Sequence, residues 1–141
     1  WVQAFMICYG LYNRGIQYSS ITDTSNASST VFSQNVRFVD NTILNAQANC
    51  VDGSVLIASI LEKIGIRTSL VIQNTEESSH MFLAFSEEKN SFDTNKLKYI
   101  ETTAISTGDE KAICPRNIKI TPETKFINIR EARAKGIKPI Q

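Results

Sequence analysis

The sequence predicts an α+β fold, and two features along the chain predict it. The first is a segment from about residue 50 to 64, apolar nearly all round at helical spacing, which belongs in the middle of a fold. The second is a change of period after Gly65, beyond which β-branched and aromatic runs replace helical spacing. A helical first half followed by a β-rich second half reads as α+β rather than as alternating α/β units.

Taken in order, residues 2–13 carry Phe5, Met6, Tyr9 and Tyr12 at near-helical spacing, with Gly15 as a stop. Ile16, Gln17 and Tyr18 follow. A polar stretch over residues 19–30, rich in Ser, Thr and Asn, reads as a surface loop, and residues 31–39 as extended. The central helix is expected to bury Val51, Val55, Ala58, Leu61 and Ile64, widened by Leu56, Ile57 and Ile60. Asn49 serves as its N-cap and Gly65 as its C-terminal glycine. Strands are expected over residues 67–73 (RTSLVIQ), 80–85 (HMFLAF) and 97–103 (LKYIETT), with a turn over 86–91. Residues 125–129 read as extended. Residues 131–135 read as a short helix closed by Gly136, with Pro139 beyond.

With 141 residues, no internal repeat and no linker, the chain is expected to be a single domain, residues 1–141. It opens on Trp1 and not on Met, so it is also expected to be cut from a longer chain. Its 42% hydrophobic and 21% charged content are ordinary for a globular protein. Net charge is +1, with both signs interspersed, and this sets nucleic-acid binding aside. No apolar run approaches the length of a membrane span. The residues carry no targeting pattern, and neither compartment nor oligomeric state follows from them. Asn26-Ala27-Ser28 fits the glycosylation acceptor pattern.

The chemistry concentrates on one cysteine and one histidine. Of Cys8, Cys50 and Cys114, Cys8 lies among Phe5, Met6, Ile7 and Tyr9 as a small core residue would. There is no C-x-x-C spacing, and a lone histidine leaves a zinc ion short of ligands. Cys50 opens the central helix, where unpaired backbone N–H groups and the helix dipole favour a thiolate. The same N–H groups are placed to hold an oxyanion, with Gln47 or Asn49 as candidate additional donors. His80 begins a strand after a polar loop, where it can meet a helix start and act as base. Glu101, at the end of the next apolar strand, can orient His80.

These segments resemble the transglutaminase-like superfamily, and its bacterial members in particular. Residues 49–66 (NCVDGSVLIASILEKIGI) look like that family's cysteine segment. RTSLVIQ followed by His80-Met81-Phe82-Leu83 looks like its histidine segment. YIETT over residues 99–103 looks like its acidic segment, with Glu where Asp is usual. Residues 36–40 and 127–140 resemble the lead-in and closing segments of those proteins. The resemblance implies a papain-like core, in which a central helix carrying the cysteine packs on an antiparallel sheet, and a catalytic triad of Cys50, His80 and Glu101. Asp93 lies at a spacing from His80 more usual for the family. Glu101 is preferred over it because its strand and the Thr-Thr after it match better.

The expected function is a cysteine hydrolase or acyltransferase, acting on peptide or side-chain amides through a thioacyl intermediate and needing no cofactor. Its partner would be a protein or peptide substrate. No aromatic of the kind animal transglutaminases use stands beside Cys50, and no feature selects an amine acceptor, so hydrolysis is preferred. The competing reading is a catalytically silent module of the same fold, retained for binding within a larger protein. A redox thiol protein is disfavoured, because Cys50 has no sequence-near resolving cysteine.

Overall fold

The computed structural model describes residues 1–19, 42–43, 47–74, 79–88 and 93–138, an α+β arrangement built around a four-stranded antiparallel sheet. The expected extended stretch over residues 31–39, the glycosylation triplet at Asn26 and Pro139 lie outside the described residues, as does most of the polar loop from 19 to 30.

Helix α1 spans Val2–Asn13. Its extent agrees with the spacing, but its buried face is Ala4, Cys8 and Leu11 instead of the aromatic stripe. The aromatics form a ladder along the helix, with centroids of Trp1–Phe5, Phe5–Tyr9 and Tyr9–Tyr12 at 6.1, 5.9 and 5.8 Å, Phe5 packing partly buried against the core and the other rings exposed. Small Ala4 and Cys8 let the helix approach the core closely, whereas the rings satisfy one another along the helix at i, i+3 and i+4.

Strands β1 (Gln17–Tyr18) and β2 (Gln47–Ala48) form a short parallel bridge, with Gln17 opposite Gln47 and Tyr18 opposite Ala48. The bridge brings the chain to Asn49, the N-cap of α2 (Cys50–Lys63). This helix ends at Ile64, and Gly65 follows at φ 89°, a conformation that glycine adopts without strain. The buried face of α2 runs through Gly53, Ser54, Leu56, Ile57, Ala58 and Leu61. Val51 and Val55 are only half-buried and Ile64 is exposed, so the buried stripe is rotated from the expected one. The reason is local: Gly53 and Ser54 are small enough to face Thr102 directly.

Strands β3 (Arg67–Asn74), β4 (Ser79–Ser86), β5 (Lys98–Ile100) and β6 (Lys125–Asn128) lie in the order β5-β4-β3-β6, every pair antiparallel. Helix α2 packs on β3 and β4. Leu83, Phe85 and Ile100 join Leu56, Ile57 and Leu61 in the core on that face. Val71, Phe82 and Ala84 pack with Leu97 on the other, against Tyr99, Ile118 and Phe126. Burial on both faces explains why the sequence of β4 is a continuous apolar run and not an alternation.

The third predicted strand is shorter than expected. Pairing stops at Ile100 opposite Leu83, and Glu101 caps a 3₁₀ segment, Thr102–Thr107. The chain then forms α3 (Glu110–Ile113), crosses to β6, and ends its described part in α4 (Ile129–Ala134), close to the helix expected there. At the far end of α2, the buried Glu62 carboxylate accepts hydrogen bonds from the Thr68 N–H, the Thr68 hydroxyl and Arg130 Nε, at 2.7, 3.0 and 3.1 Å. That network ties the helix end to β3 and α4. Among the described residues no helix is long and apolar enough to cross a membrane.

Candidate active site

The site is assembled from three element ends. The first is the start of α2. The side-chain Oδ1 of Asn49 accepts from the N–H groups of Val51 and Asp52, at 2.9 and 2.8 Å. The Asn49 N–H reaches back to Asp52 Oδ2 at 3.5 Å, completing a capping box. The carbonyl of Asn49 takes the Gly53 N–H at 2.9 Å. The cap therefore consumes three of the four first-turn donors. Among the described residues none takes the N–H of Cys50, so of the oxyanion donors expected at the helix start this is the one uncommitted. This narrows the expectation that the whole helix start serves that purpose. It also commits the Asn49 carboxamide oxygen to the helix itself. Gln47 contributes its backbone to β2.

The second is the start of β4. His80 lies one residue into the strand, opposite Gln73, and its ring rests 5.9 Å from that of Phe82. The third is the end of β5. Its Ile100 pairs with Leu83, and this brings the next residue, Glu101, alongside the start of β4. His80 Nε2 and Glu101 Oε2 are 2.7 Å apart, and the Cys50 thiol lies close enough to the same imidazole for each to shift the other's pKa. Because Nε2 is engaged by Glu101, Nδ1 is the ring nitrogen left for the thiol.

The electrostatics follow from this line of three groups. The hydrogen bond to His80 lowers the Cys50 thiol below its ordinary value. Partial burial opposes this, while the N–H groups of Met81 and Val51 and the charge of His80 reinforce it. His80 is raised to about 10, first by its hydrogen bond to Cys50 and then by the one to Glu101, against partial burial. Burial pushes the Glu101 carboxyl up, but the hydrogen bonds from His80 and Thr103 together hold it below the usual range. The three shifts run together: each favours the charged form of its group, easing ionisation of the thiol while holding the imidazole protonated and the carboxyl ionised.

Two threonines that the sequence reading treated only as part of a motif turn out to hold the site together. The Thr103 N–H and hydroxyl donate to Glu101 Oε1 at 3.1 and 2.6 Å. The Thr102 hydroxyl lies 3.3 Å from the Cys50 carbonyl oxygen and 3.2 Å from the Ser54 hydroxyl. The signal was the placement of two hydroxyl residues directly after an acidic one at a strand end, where side-chain capping is common.

Asp93 is elsewhere engaged: its Oδ1 accepts from the Asn95 N–H at 2.9 Å and caps the short 3₁₀ turn Thr94–Lys96. Cys8 and Cys114 are buried free thiols. Burial raises Cys8 to about 12, with Cys114 adding to the shift. Burial likewise raises Cys114 to about 11, reinforced by Glu110. Among the described residues no group of three or more His, Cys, Asp or Glu is placed to hold a metal ion.

Comparison with protein-family models, with curated proteins and with solved structures finds no match for this chain.

Proposed function

We propose that this domain is a transglutaminase-like cysteine enzyme with a papain-like core, hydrolysing a peptide or side-chain amide through Cys50, His80 and Glu101. The observation that carries the reading is the His80–Glu101 contact at 2.7 Å, with Cys50 at a helix start beside it and its thiol pKa lowered by that same imidazole. In this reading the Cys50 thiolate attacks the amide carbonyl carbon. A C–S bond forms, and the Cys50 N–H receives the negative oxygen. The His80 imidazolium gives its proton to the leaving nitrogen as the C–N bond breaks, leaving a thioester. Water then attacks the thioester and passes its proton to neutral His80. The C–S bond breaks, the carboxylic acid leaves, and the Cys50 thiolate and protonated His80 are restored. Glu101 keeps the ring turned so that Nδ1 faces sulfur and stabilises the imidazolium.

The test uses a panel of peptidyl vinyl sulfones and glutamine-containing peptides. The reading expects a covalent adduct on Cys50, abolished by His80→Ala, and release of amine or ammonia from at least one peptide class. A thiol that forms no adduct faster than free cysteine would turn the reading to a silent binding module of the same fold.

A further inference from the structure

We propose that Thr103 is a positioning residue for the site, holding one oxygen of Glu101 so that the other is presented to His80. The inference rests on the reading of Cys50 and His80 as a reactive pair, and it adds a residue that reading does not need.

Glutamate has one more rotatable bond than aspartate, so a carboxylate on it has more orientations to lose before it can face a single ring nitrogen. In this site the loss is enforced by division of labour. Oε1 accepts both donors of Thr103, and the hydroxyl contact at 2.6 Å has the length of a charge-assisted bond. Oε2 is left to His80 Nε2 at 2.7 Å. The backbone behind the carboxylate is itself fixed, because the Glu101 N–H donates to the Ile113 carbonyl at 2.8 Å. Three independent contacts therefore hold one side chain, and only one of them is to the imidazole.

A purely local role also exists, since the same bonds cap the 3₁₀ segment Thr102–Thr107. The two roles differ in what they move. A cap contributes to folding alone. A positioning contact also sets how strongly Glu101 stabilises the His80 cation. Cys50 from α2 and Glu101 from the end of β5 are the titratable groups acting on that ring.

His80 is the only histidine in the chain, so selective ¹⁵N labelling of histidine yields one imidazole whose titration can be followed directly in the whole protein. The variants are Thr103→Val, which removes the hydroxyl at nearly constant shape, and Thr103→Ser, which restores it. Thr103→Ala removes the same hydroxyl from a partly exposed position without a buried methyl, should the valine variant not fold. In the parent, His80 should titrate well above the ordinary imidazole value. In Thr103→Val or Thr103→Ala its pKa should fall by about half a unit or more, a threefold or greater change in proton affinity. Thr103→Ser should return it to the parent value, and urea midpoints of the folded variants serve as the control for capping. A His80 titration unchanged in folded Thr103→Val and Thr103→Ala overturns the role of Thr103 while leaving the reactive pair intact. A parent in which His80 titrates near 6.5 and Cys50 alkylates like free cysteine overturns the pair itself, and the positioning role with it.

Discussion

His80 Nε2 and Glu101 Oε2 stand 2.7 Å apart across the ends of two neighbouring strands, although 21 positions separate the residues in sequence. The contact decides which ring nitrogen is free for Cys50 and which of two candidate acids serves the histidine.

If that contact stabilises the imidazolium, Glu101→Gln should lower the His80 pKa and slow alkylation of Cys50 near neutral pH by about tenfold or more, one unit of pKa being about 1.4 kcal/mol. Asp93→Asn should leave both unchanged, because asparagine caps the Thr94–Lys96 turn as well as aspartate does. Titration of the single imidazole and timed iodoacetamide labelling measure both. The reverse pattern would transfer the role to Asp93.

Cys50 should be the thiol that reacts first. Only the thiolate is nucleophilic, and the Cys50 pKa is lowered while those of Cys8 and Cys114 are raised to about 12 and about 11. Peptide mapping after brief labelling at pH 6.5 should find the adduct on Cys50 alone. As pH falls through the lowered Cys50 value, the thiolate gains its proton and labelling slows. Labelling of Cys8 or Cys114 at a comparable rate would show that the core opens readily.

The pH window of turnover has two edges with opposite causes. Activity should rise as the Cys50 proton leaves, below the ordinary thiol range. It should then fall as His80 loses its proton near 10, because the leaving nitrogen then has no donor. A profile of kcat/KM against pH on whichever amide substrate emerges should therefore rise below the ordinary thiol range and fall again near 10. A single ascending limb near pH 8.5 would mean that the thiol titrates as a free cysteine.

Asn49→Ala should cost about 1 to 2 kcal/mol of stability, because it removes the acceptor of two first-turn N–H groups and half of the capping box. Equilibrium urea unfolding, followed by circular dichroism, measures it. A midpoint equal to that of the parent would show that water caps the helix as well as the carboxamide does.

Gly53→Ala should destabilise by about 1 to 3 kcal/mol, through overpacking and not through backbone strain. A Cβ at that position would lie 3.2 Å from the Thr102 Cβ and 3.4 Å from its hydroxyl, and Thr102 is held by Cys50 and Ser54. Pairing it with Thr102→Gly, which removes both of those atoms, should cost less than the sum of the two single changes. Additive effects of the two changes would show that they do not meet.

The features legible in residue order are local in their physics. The start of α2 at Cys50, its Asn49 cap and its end before Gly65 depend on neighbours within one turn, and so were legible from residue order. The apolar run of β4 and the β-branched run of β3 announced strands for the same reason. Tertiary structure decided what depends on approach between distant segments. The buried face of α1 runs through Ala4, Cys8 and Leu11 because small residues admit the core, a preference that helical spacing among the aromatics does not encode. Strand β5 ends at Ile100, not at Thr103, because the Glu101 backbone N–H turns to the Ile113 carbonyl and its side chain caps the 3₁₀ segment that follows. The cap on α2 leaves the Cys50 N–H as the first-turn donor without a partner among the described residues. The division of the Glu101 carboxylate between Thr103 and His80 was likewise beyond the sequence, because hydrogen bonds of this kind are set by distances of a few tenths of an ångström that only the packed fold provides.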